Sequence, residues 1–344
     1  MYAIDPPPTS ASVELENSIL KVLAWFDLFH YPLPAEEILF FLDHMISPEE
    51  LKVPLQQLVN DKMIFLHEGY YSLGNKPDLV VRRTRGNERA RHMLRTAHRI
   101  GRLLYHFPFV RGICISGSLS KNFADEKADI DFFIITRTNR LWIARTAMHL
   151  FKKLTYLWGG QHWFCMNYYV DEDALQIREQ NYFTAIELIT LMPVCGDGAI
   201  SKLFSENNWA TKYFPRYAEK TSIHRGAEKK YGVKRLLECV FNNRMGDRLD
   251  EYLFKLTSRS WKQKEDKHRL NIKGGRMGLD TGKHFSKPNP SFFHKSILER
   301  YEQKLETVFA NRERLQAARY ALPVAGTDAQ PLFEVNAPWR AIIH

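Results

Sequence analysis

Residues 113–135 read ICISGSLSKNFADEKADIDFFII and contain two apolar segments joined by a polar connection. The first segment ends in Gly117-Ser118, and the second carries Asp129 and Asp131 near its start. Short apolar runs beside turn-forming residues predict β-strands. Because successive side chains of a strand alternate between its two faces, we expect the two aspartates to point the same way.

This pair of aspartates predicts a cation site beside a phosphate. Two neighbouring carboxylates repel each other and resist burial unless a cation lies between them. Magnesium is commonly held by one or two carboxylates together with substrate phosphates. Gly117 allows the backbone to approach a phosphate closely, and Ser118 can donate its hydroxyl and its N–H. Together these residues favour a magnesium–nucleoside triphosphate site for phosphoryl or nucleotidyl transfer.

The Gly-Ser pair, followed after ten residues by Asp-x-Asp between apolar strands, resembles the nucleotidyltransferase superfamily related to DNA polymerase β. The resemblance covers about twenty residues, within a compatible strand-helix-strand context at 111–170. It implies Mg²⁺- or Mn²⁺-dependent transfer of a nucleoside monophosphate from an NTP to a hydroxyl acceptor. It further implies that Gly117 and Ser118 bind the triphosphate and that Asp129 and Asp131 are catalytic metal ligands.

A third carboxylate, usual on a neighbouring strand in this superfamily, is not evident here. The predicted strand Trp163–Val170 offers only Asn167, which is uncharged and cannot act as a base. We place Asn167 at the third position, with a buried amide that bridges backbone groups as the alternative. The acids that could replace it are Asp171, Glu172, Asp173 and Glu187.

Basic residues near the motif have two interpretations. Lys121 follows the Gly-Ser pair and can reach a phosphate, or it can be a solvated loop residue. Arg137, Arg140 and Arg145 follow the second strand; they can contact the triphosphate or cover a helix surface.

Residues 1–81 are predicted to form a winged helix-turn-helix module. Helical patterns at 13–29, 35–42 and 48–61 precede a hairpin pattern at 63–73. Such a module before this catalytic motif resembles the architecture of a bacterial group of nucleotidyltransferases. DNA binding is possible, but the third helix carries Glu49 and Glu50, which favours packing or partner recognition; Gln56, Gln57 and Asn60 keep DNA reading open.

We predict an α+β chain of three parts: 1–81, a nucleotidyltransferase domain with a mixed sheet and flanking helices at 82–194, and a helical region at 195–344. The second part begins with an arginine-rich helix, for which a structural role is favoured over a nucleic-acid face. In the third part, helices are expected at 233–262 and 290–321, with an exposed loop at 273–287. A superficial phosphate-loop pattern at 275–283 lacks the Ser/Thr and the preceding strand, and we exclude it.

Composition narrows the class of protein further. The 344 residues carry a net charge of +10, which favours polyanionic partners without choosing among them. Four widely spaced cysteines predict reduced thiols rather than a zinc site or a disulfide framework. No apolar run is long enough to span a bilayer, and the first residues do not resemble a secretory signal. We therefore expect a cytoplasmic protein without membrane contact.

Three functions remain open from the sequence. The first is a nucleotidyltransferase with an unspecified acceptor and nucleotide. The second is a weak or inactive relative that binds nucleotide together with DNA or a protein partner, which the missing third carboxylate motivates. The third is a scaffold for a partner enzyme.

Overall fold

The computed structural model describes residues 10–155, 164–221, 232–267, 279–288 and 293–321, and it shows a mixed α/β protein. Its helices are α1 (Ser10–Asp27), α2 (Ala35–Phe40), α3 (Pro48–Asn60), α4 (Asp78–Tyr105), α5 (Leu141–Thr155), α6 (Tyr182–Thr190), α7 (Asp197–Glu206), α8 (Tyr217–Thr221), α9 (Gly232–Phe241), α10 (Arg244–Asp266) and α11 (Phe293–Ala321). Its strands are β1 (Leu33–Pro34), β2 (Phe65–His67), β3 (Tyr70–Ser72), β4 (Val110–Ser116), β5 (Asp131–Thr136), β6 (Cys165–Asp171), β7 (Met192–Cys195), β8 (Leu279–Thr281) and β9 (Phe285–Pro288).

The N-terminal part contains the expected three helices and hairpin. Strand β3 pairs antiparallel with both β2 and β1, which gives a small three-stranded sheet. Helix α3 begins after Ser47 because of a reciprocal cap: the Ser47 hydroxyl accepts from the Glu50 N–H, and the Glu50 carboxylate accepts from the Ser47 N–H. Apolar residues of the three helices, including Leu23, Ile38 and Leu55, are buried in one core.

The central sheet has six strands in the order β7-β4-β5-β6-β9-β8. Strand β4 is antiparallel to β5 and β7, and β5 is parallel to β6. A parallel pair needs a crossover connection, which α5 supplies. The expected mixed sheet with flanking helices is therefore confirmed.

Two strands of this sheet come from a segment expected to be an exposed loop. That expectation is wrong for residues 279–287, because β8 and β9 form a hairpin whose second strand pairs with β6. Residues 273–278, with the first four residues of the excluded phosphate-loop pattern, lie outside the described residues. The hairpin has too little alternation of apolar residues to be recognised from its own sequence. The predicted domain boundaries stay predictions.

The helix expected at 233–262 is interrupted. Asn243 separates α9 from α10, and its side-chain oxygen accepts from the N–H groups of Met245 and Gly246. Asparagine is a favoured N-cap because this bond satisfies backbone donors that have no partner within the helix. The apolar periodicity continues across the break, so periodicity alone merges the two helices.

Alternation along β5 separates two apolar cores. Phe132 and Ile134 pack with residues of α4 and α5, whereas Phe133 and Ile135 belong to the core that contains α1, α6 and α7. Asp131 shares its strand face with Phe133. Its carboxylate therefore points to the side of the sheet that the N-terminal helices and α6 occupy.

The first turns of the arginine-rich helix α4 hold the N-terminal part in place. Arg83 is 2% exposed, donates to the carbonyl of Pro32 and the carboxylate of Glu37, and lies 3.7 Å from the ring centroid of Tyr31. These contacts support the favoured structural role at this end of the helix. Exposed arginines occupy the rest of it, namely Arg85, Arg91, Arg95, Arg99 and Arg102. Within the described residues, no helix combines the length and apolarity needed to cross a membrane.

Candidate functional site

The glycine turn at the end of β4 packs directly on an acid at the start of β5. Ser116 pairs with Asp131 across the two strands, and Gly117 has a φ of +70°. A Cβ placed on Gly117 would lie 2.6 Å from Oδ2 of Asp131. Only glycine combines this backbone conformation with room for the carboxylate. The turn and the acid therefore form one structural unit.

Asp129 lies close to the same edge of the sheet. It precedes the first residue of β5 by two positions, and the Cys165 N–H donates to the carbonyl of Ile130 over 2.7 Å, which places Cys165 beside Asp131 on the neighbouring strand. Burial raises the pKa of the Cys165 thiol, and the negative charges of Asp131 and Asp129 raise it further, while Lys152 opposes them. Both carboxylates therefore act electrostatically on one sulfur atom.

The register of β6 bears on the third position. Cys165 pairs with Asp131, and Tyr168 pairs with Phe133. Asn167 falls at a one-residue irregularity between these pairs, and its side chain lies outside the described part of the structure. The prediction that Asn167 occupies the third position therefore stays a prediction, and the described neighbour of Asp131 on β6 is a cysteine.

Lys121 is held beside the turn rather than solvated. Its ammonium group is 17% exposed and donates to the carbonyl of Gly117 over 3.1 Å and to Oε1 of Glu187 over 2.8 Å. Ser118, whose side chain is exposed, comes directly before the 3₁₀ turn Leu119–Lys121. The Tyr31 hydroxyl donates a hydrogen bond to the Lys121 carbonyl. The N-terminal part therefore fixes the backbone that carries this lysine.

A cavity of about 680 Å³ opens over this unit. Its polar end contains Gly117, Ser118, Lys121, Asp131 and Glu187. Its other walls are mainly aromatic and come from α1, β5, β6, α6 and the start of α11; they include Trp25, Phe29, Phe133, Tyr168, Phe183 and Phe293. Concave, mostly apolar pockets with a few convergent polar groups are typical small-molecule sites.

A second acidic cluster lies at the opposite end of the β5–β6 pair. Asp171 pairs with Thr136, five residues along β5 from Asp131 and roughly 17 Å away at a normal strand rise. Asp171 and Asp173, together with His284, place one ligand atom each within 4.8 Å of one another, so they could hold a metal ion.

The hydrogen bonds of Asp171 indicate a structural role instead. Its carboxylate accepts from the Asn139 N–H, the Asp173 N–H and the His284 ring nitrogen, at 3.1, 3.0 and 2.8 Å. Burial raises its pKa, and these three donors oppose the rise. Asp171 and Asp173 are too far from Asp131 to provide the third carboxylate of the motif; Glu172, between them on the chain, follows the same strand end.

The arginines after β5 do not contact this cavity. Arg140 is buried at the far end of the sheet, where it donates to Asp247 over 2.6 Å and to the Phe241 carbonyl over 2.9 Å. Arg145 packs over the rings of Trp142 and Tyr169 on the other face of the sheet. Arg137 follows β5 at that same far end, where its N–H donates to the Phe109 carbonyl. The interpretation that Arg140 or Arg145 contacts a triphosphate at Gly117 is therefore wrong. Arg140 instead binds α10 and the end of α9, and Arg145 packs on Trp142 and Tyr169.

The aromatic walls were not identified from the sequence. Trp25 belongs to the amphipathic helix α1, whose pattern indicates burial but not the partner, and Phe29 follows the end of that helix. Glu179 and Lys287, which form an ion pair in the cavity wall, are separated by 108 residues, and no local signal connects them.

Comparison of the chain with family models, curated proteins and solved structures finds no significant match.

Proposed function

We propose that this protein is a magnesium-dependent nucleotidyltransferase that moves a nucleoside monophosphate from an NTP to a hydroxyl acceptor. The observation that carries the proposal is the packing of the Gly117 turn against Asp131 at the polar end of the cavity. A glycine turn, a basic residue and the Asp131 carboxylate at one mouth fit a metal-bound triphosphate.

The donor set fits Mg²⁺, with Mn²⁺ as an alternative. Asp129 and Asp131 would hold the cation, since Asp131 packs against the Gly117 turn and both carboxylates act on Cys165. Because Gly117 has no side chain, the backbone of the turn approaches Oδ2 of Asp131 closely. When bound, the cation supplies neutralisation of the negative charge on the triphosphate.

The chain's own residues would position the triphosphate. The turn at Gly117 and Ser118 offers backbone N–H groups and a hydroxyl to the phosphate oxygens. Lys121 adds a point charge from the same turn, and its ion pair with Glu187 must loosen for this contact. Catalysis then comes mainly from holding the acceptor oxygen in line with the bond that breaks.

Glu187 is our choice for the missing third acid. It lines the cavity, and its carboxylate is tied to the turn through Lys121. A move of Lys121 to the triphosphate leaves this carboxylate near the polar end, where it can accept a proton from an acceptor hydroxyl. Asp171 and Asp173 cannot take this role because they lie at the far end of the sheet.

The test compares two acids in matched variants. Purified wild-type protein, Asp131→Asn and Asp173→Asn are incubated with each labelled NTP, Mg²⁺ and a panel of acceptors. We expect Mg·NTP to raise the Tm of the wild type and of Asp173→Asn, because a ligand that binds only the folded state stabilises it by about 2.7 kcal/mol at one hundred times its Kd. The Asp131→Asn protein should show neither this shift nor transfer. Equal transfer by all three would reject the proposal.

The finer fold assignments are part of the same proposal. We take β4, β5, α5 and β6 as a nucleotidyltransferase core, and α1 to α3 with the β2–β3 hairpin as a winged helix-turn-helix module. We also place the protein in the cytoplasm, where its four cysteines remain free thiols.

One observation favours a second candidate, a nucleotide-binding regulator with little or no catalysis. The described β6 neighbour of Asp131 is Cys165, not a carboxylate. The surface of α3 is mixed rather than basic, with Glu49, Glu50 and Lys52 exposed, which suits a protein partner better than DNA. Mg·NTP binding without transfer to any acceptor would favour this candidate, and a mobility-shift series at low and high salt would test its DNA branch.

A further inference from the structure

The proposed function uses only the polar end of the cavity. The remaining walls are aromatic, and they are assembled from the two ends of the described chain. Trp25 of α1 contacts Phe183 of α6 and Tyr301 of α11, with ring centroids 6.0 and 5.2 Å apart. The Tyr301 hydroxyl donates to the Lys21 carbonyl over 3.2 Å, and Arg312 bonds to Glu16 and Asn17. The aromatic walls are therefore braced in place before any ligand binds.

The charges in these walls are already compensated. Arg82 pairs with Asp125 at 3.0 Å, Lys121 pairs with Glu187 at 2.8 Å, and Lys287 pairs with Glu179. Every lysine and arginine among the described residues that line the cavity thus has a carboxylate partner. Burial lowers the pKa of His294, which lies against the Phe183 ring, so this imidazole is neutral near pH 7.

These two observations restrict what the inner cavity accepts. A nucleic acid brings one phosphate for each nucleotide, and its binding needs cations that are free to contact them. The described inner walls offer rings and paired charges instead. The cavity volume of about 680 Å³ is within the ordinary range for a small-molecule site.

We propose that the acceptor is a small aromatic alcohol whose ring lies between Phe29, Phe183 and Phe293 and whose hydroxyl reaches the polar end at Asp131. This inference rests on the proposed function. In the reaction, the hydroxyl oxygen forms a bond to the α-phosphorus of the NTP, and the bond from that phosphorus to the bridging oxygen breaks. Pyrophosphate leaves with that bonding pair, and the hydroxyl proton passes to the Glu187 carboxylate.

The test measures binding and transfer separately, with 2-(2-naphthyl)ethanol as the probe. Calorimetry gives its affinity for the full-length wild type and for Phe29→Ala/Phe293→Ala, two residues that are 38% and 48% exposed and are therefore dispensable for folding. Thr184→Trp, which fills the cavity, is a second variant, and Tyr252→Ala on exposed α10 is the control. We expect binding at least tenfold weaker in both cavity variants and unchanged in the control, with an unchanged Mg·NTP shift in Phe29→Ala/Phe293→Ala. Pyrophosphate release should require both the alcohol and Asp131.

Other results overturn the inference in different ways. An Asp131-dependent Mg·NTP shift without binding of the probe would reject the acceptor class and leave the proposed function standing. Probe binding without any Mg·NTP shift would reject the proposed function, and the acceptor role with it. Competition between the probe and free adenosine, guanosine, cytidine or uridine would show that the rings hold the nucleobase, which also rejects the inference.

Discussion

The two ends of the β5–β6 pair each present buried or half-buried acids, but the surroundings of these acids differ. At one end, Asp131 faces a glycine turn and a cavity of about 680 Å³. At the other end, Asp171 is fully buried, and donors from three different residues satisfy its carboxylate. The comparison shows that a carboxylate becomes a candidate ligand site through the space and donors around it, not through its position at a strand end.

The difference also has an energetic meaning. A buried carboxylate with satisfied hydrogen bonds stabilises the fold, and its removal leaves its donors without partners. A carboxylate at a cavity mouth lies beside a space that a ligand can enter. We therefore expect substitution of Asp171 to lower mainly the stability of the fold, and substitution of Asp131 to weaken mainly ligand binding.

The largest effect is expected for Asp171→Ala. The variant leaves the N–H groups of Asn139 and Asp173 without their acceptor in a buried site, so we expect a loss of about 3–5 kcal/mol in the free energy of unfolding. Urea unfolding measures this loss. Asp131→Ala is the matched variant and should lose less than Asp171→Ala, because Asp131 is half-buried whereas Asp171 is fully buried. A larger loss for Asp131→Ala than for Asp171→Ala would invert the comparison.

Gly117→Ala should damage the cavity end next. The φ of +70° and the contact of 2.6 Å with Oδ2 of Asp131 both disfavour a side chain. We expect about 2–3 kcal/mol of destabilisation and loss of the Mg·NTP thermal shift. Gly69→Ala is a matched control, since Gly69 has a φ of +83° but no neighbour within 4 Å of its Cβ position. Equal destabilisation of Gly117→Ala and Gly69→Ala would mean that the close approach to Asp131 does not add to the cost of the substitution.

The sequence predicted the Asp131 end of the sheet better than the Asp171 end. The residues that form the first end are close together in the chain, whereas those that form the second are far apart. Gly117 and Asp131 belong to one short motif, whereas the partner that satisfies Asp171 is His284, 113 residues later. The position of Asn167 depended on register, and a one-residue irregularity in β6 moves Cys165 beside Asp131. The Ser47 cap of α3 depends on residues three positions apart, whereas the cavity walls depend on tertiary contacts and were not predicted from the sequence.

A pH-dependent effect is expected at the far end, where Asp250 of α10 accepts from the Ile143 N–H over 2.9 Å. Burial raises the pKa of Asp250 to about 6, against the opposing backbone hydrogen bonds. An acid with a raised folded-state pKa makes the protein less stable as pH rises from about 4 to about 6, because the unfolded chain loses its proton first. Asp250→Asn removes this loss.

The variant should therefore gain stability relative to the wild type by about 2–3 kcal/mol between pH 4 and pH 7. Urea unfolding of both proteins at several pH values in this window measures the difference. A difference that does not change with pH would contradict the raised pKa of this carboxyl group.

The smallest effect is expected for His284→Ala. This imidazole is 32% exposed and provides one of the three donors to Asp171. Its loss should cost about 1 kcal/mol, since the two backbone donors remain. Addition and chelation of Zn²⁺ should change the Tm of the wild type and of His284→Ala by the same amount. A metal-dependent rise in Tm that His284→Ala abolishes would make this end a metal site as well.

The most direct test of the account is calorimetric titration of Mg·NTP into the wild type, Asp131→Asn and Asp171→Asn, with each of the four nucleotides. The account predicts saturable binding of at least one nucleotide to the wild type and to folded Asp171→Asn, and loss of that binding in Asp131→Asn. Binding that survives in Asp131→Asn, or that disappears only in Asp171→Asn, would contradict it.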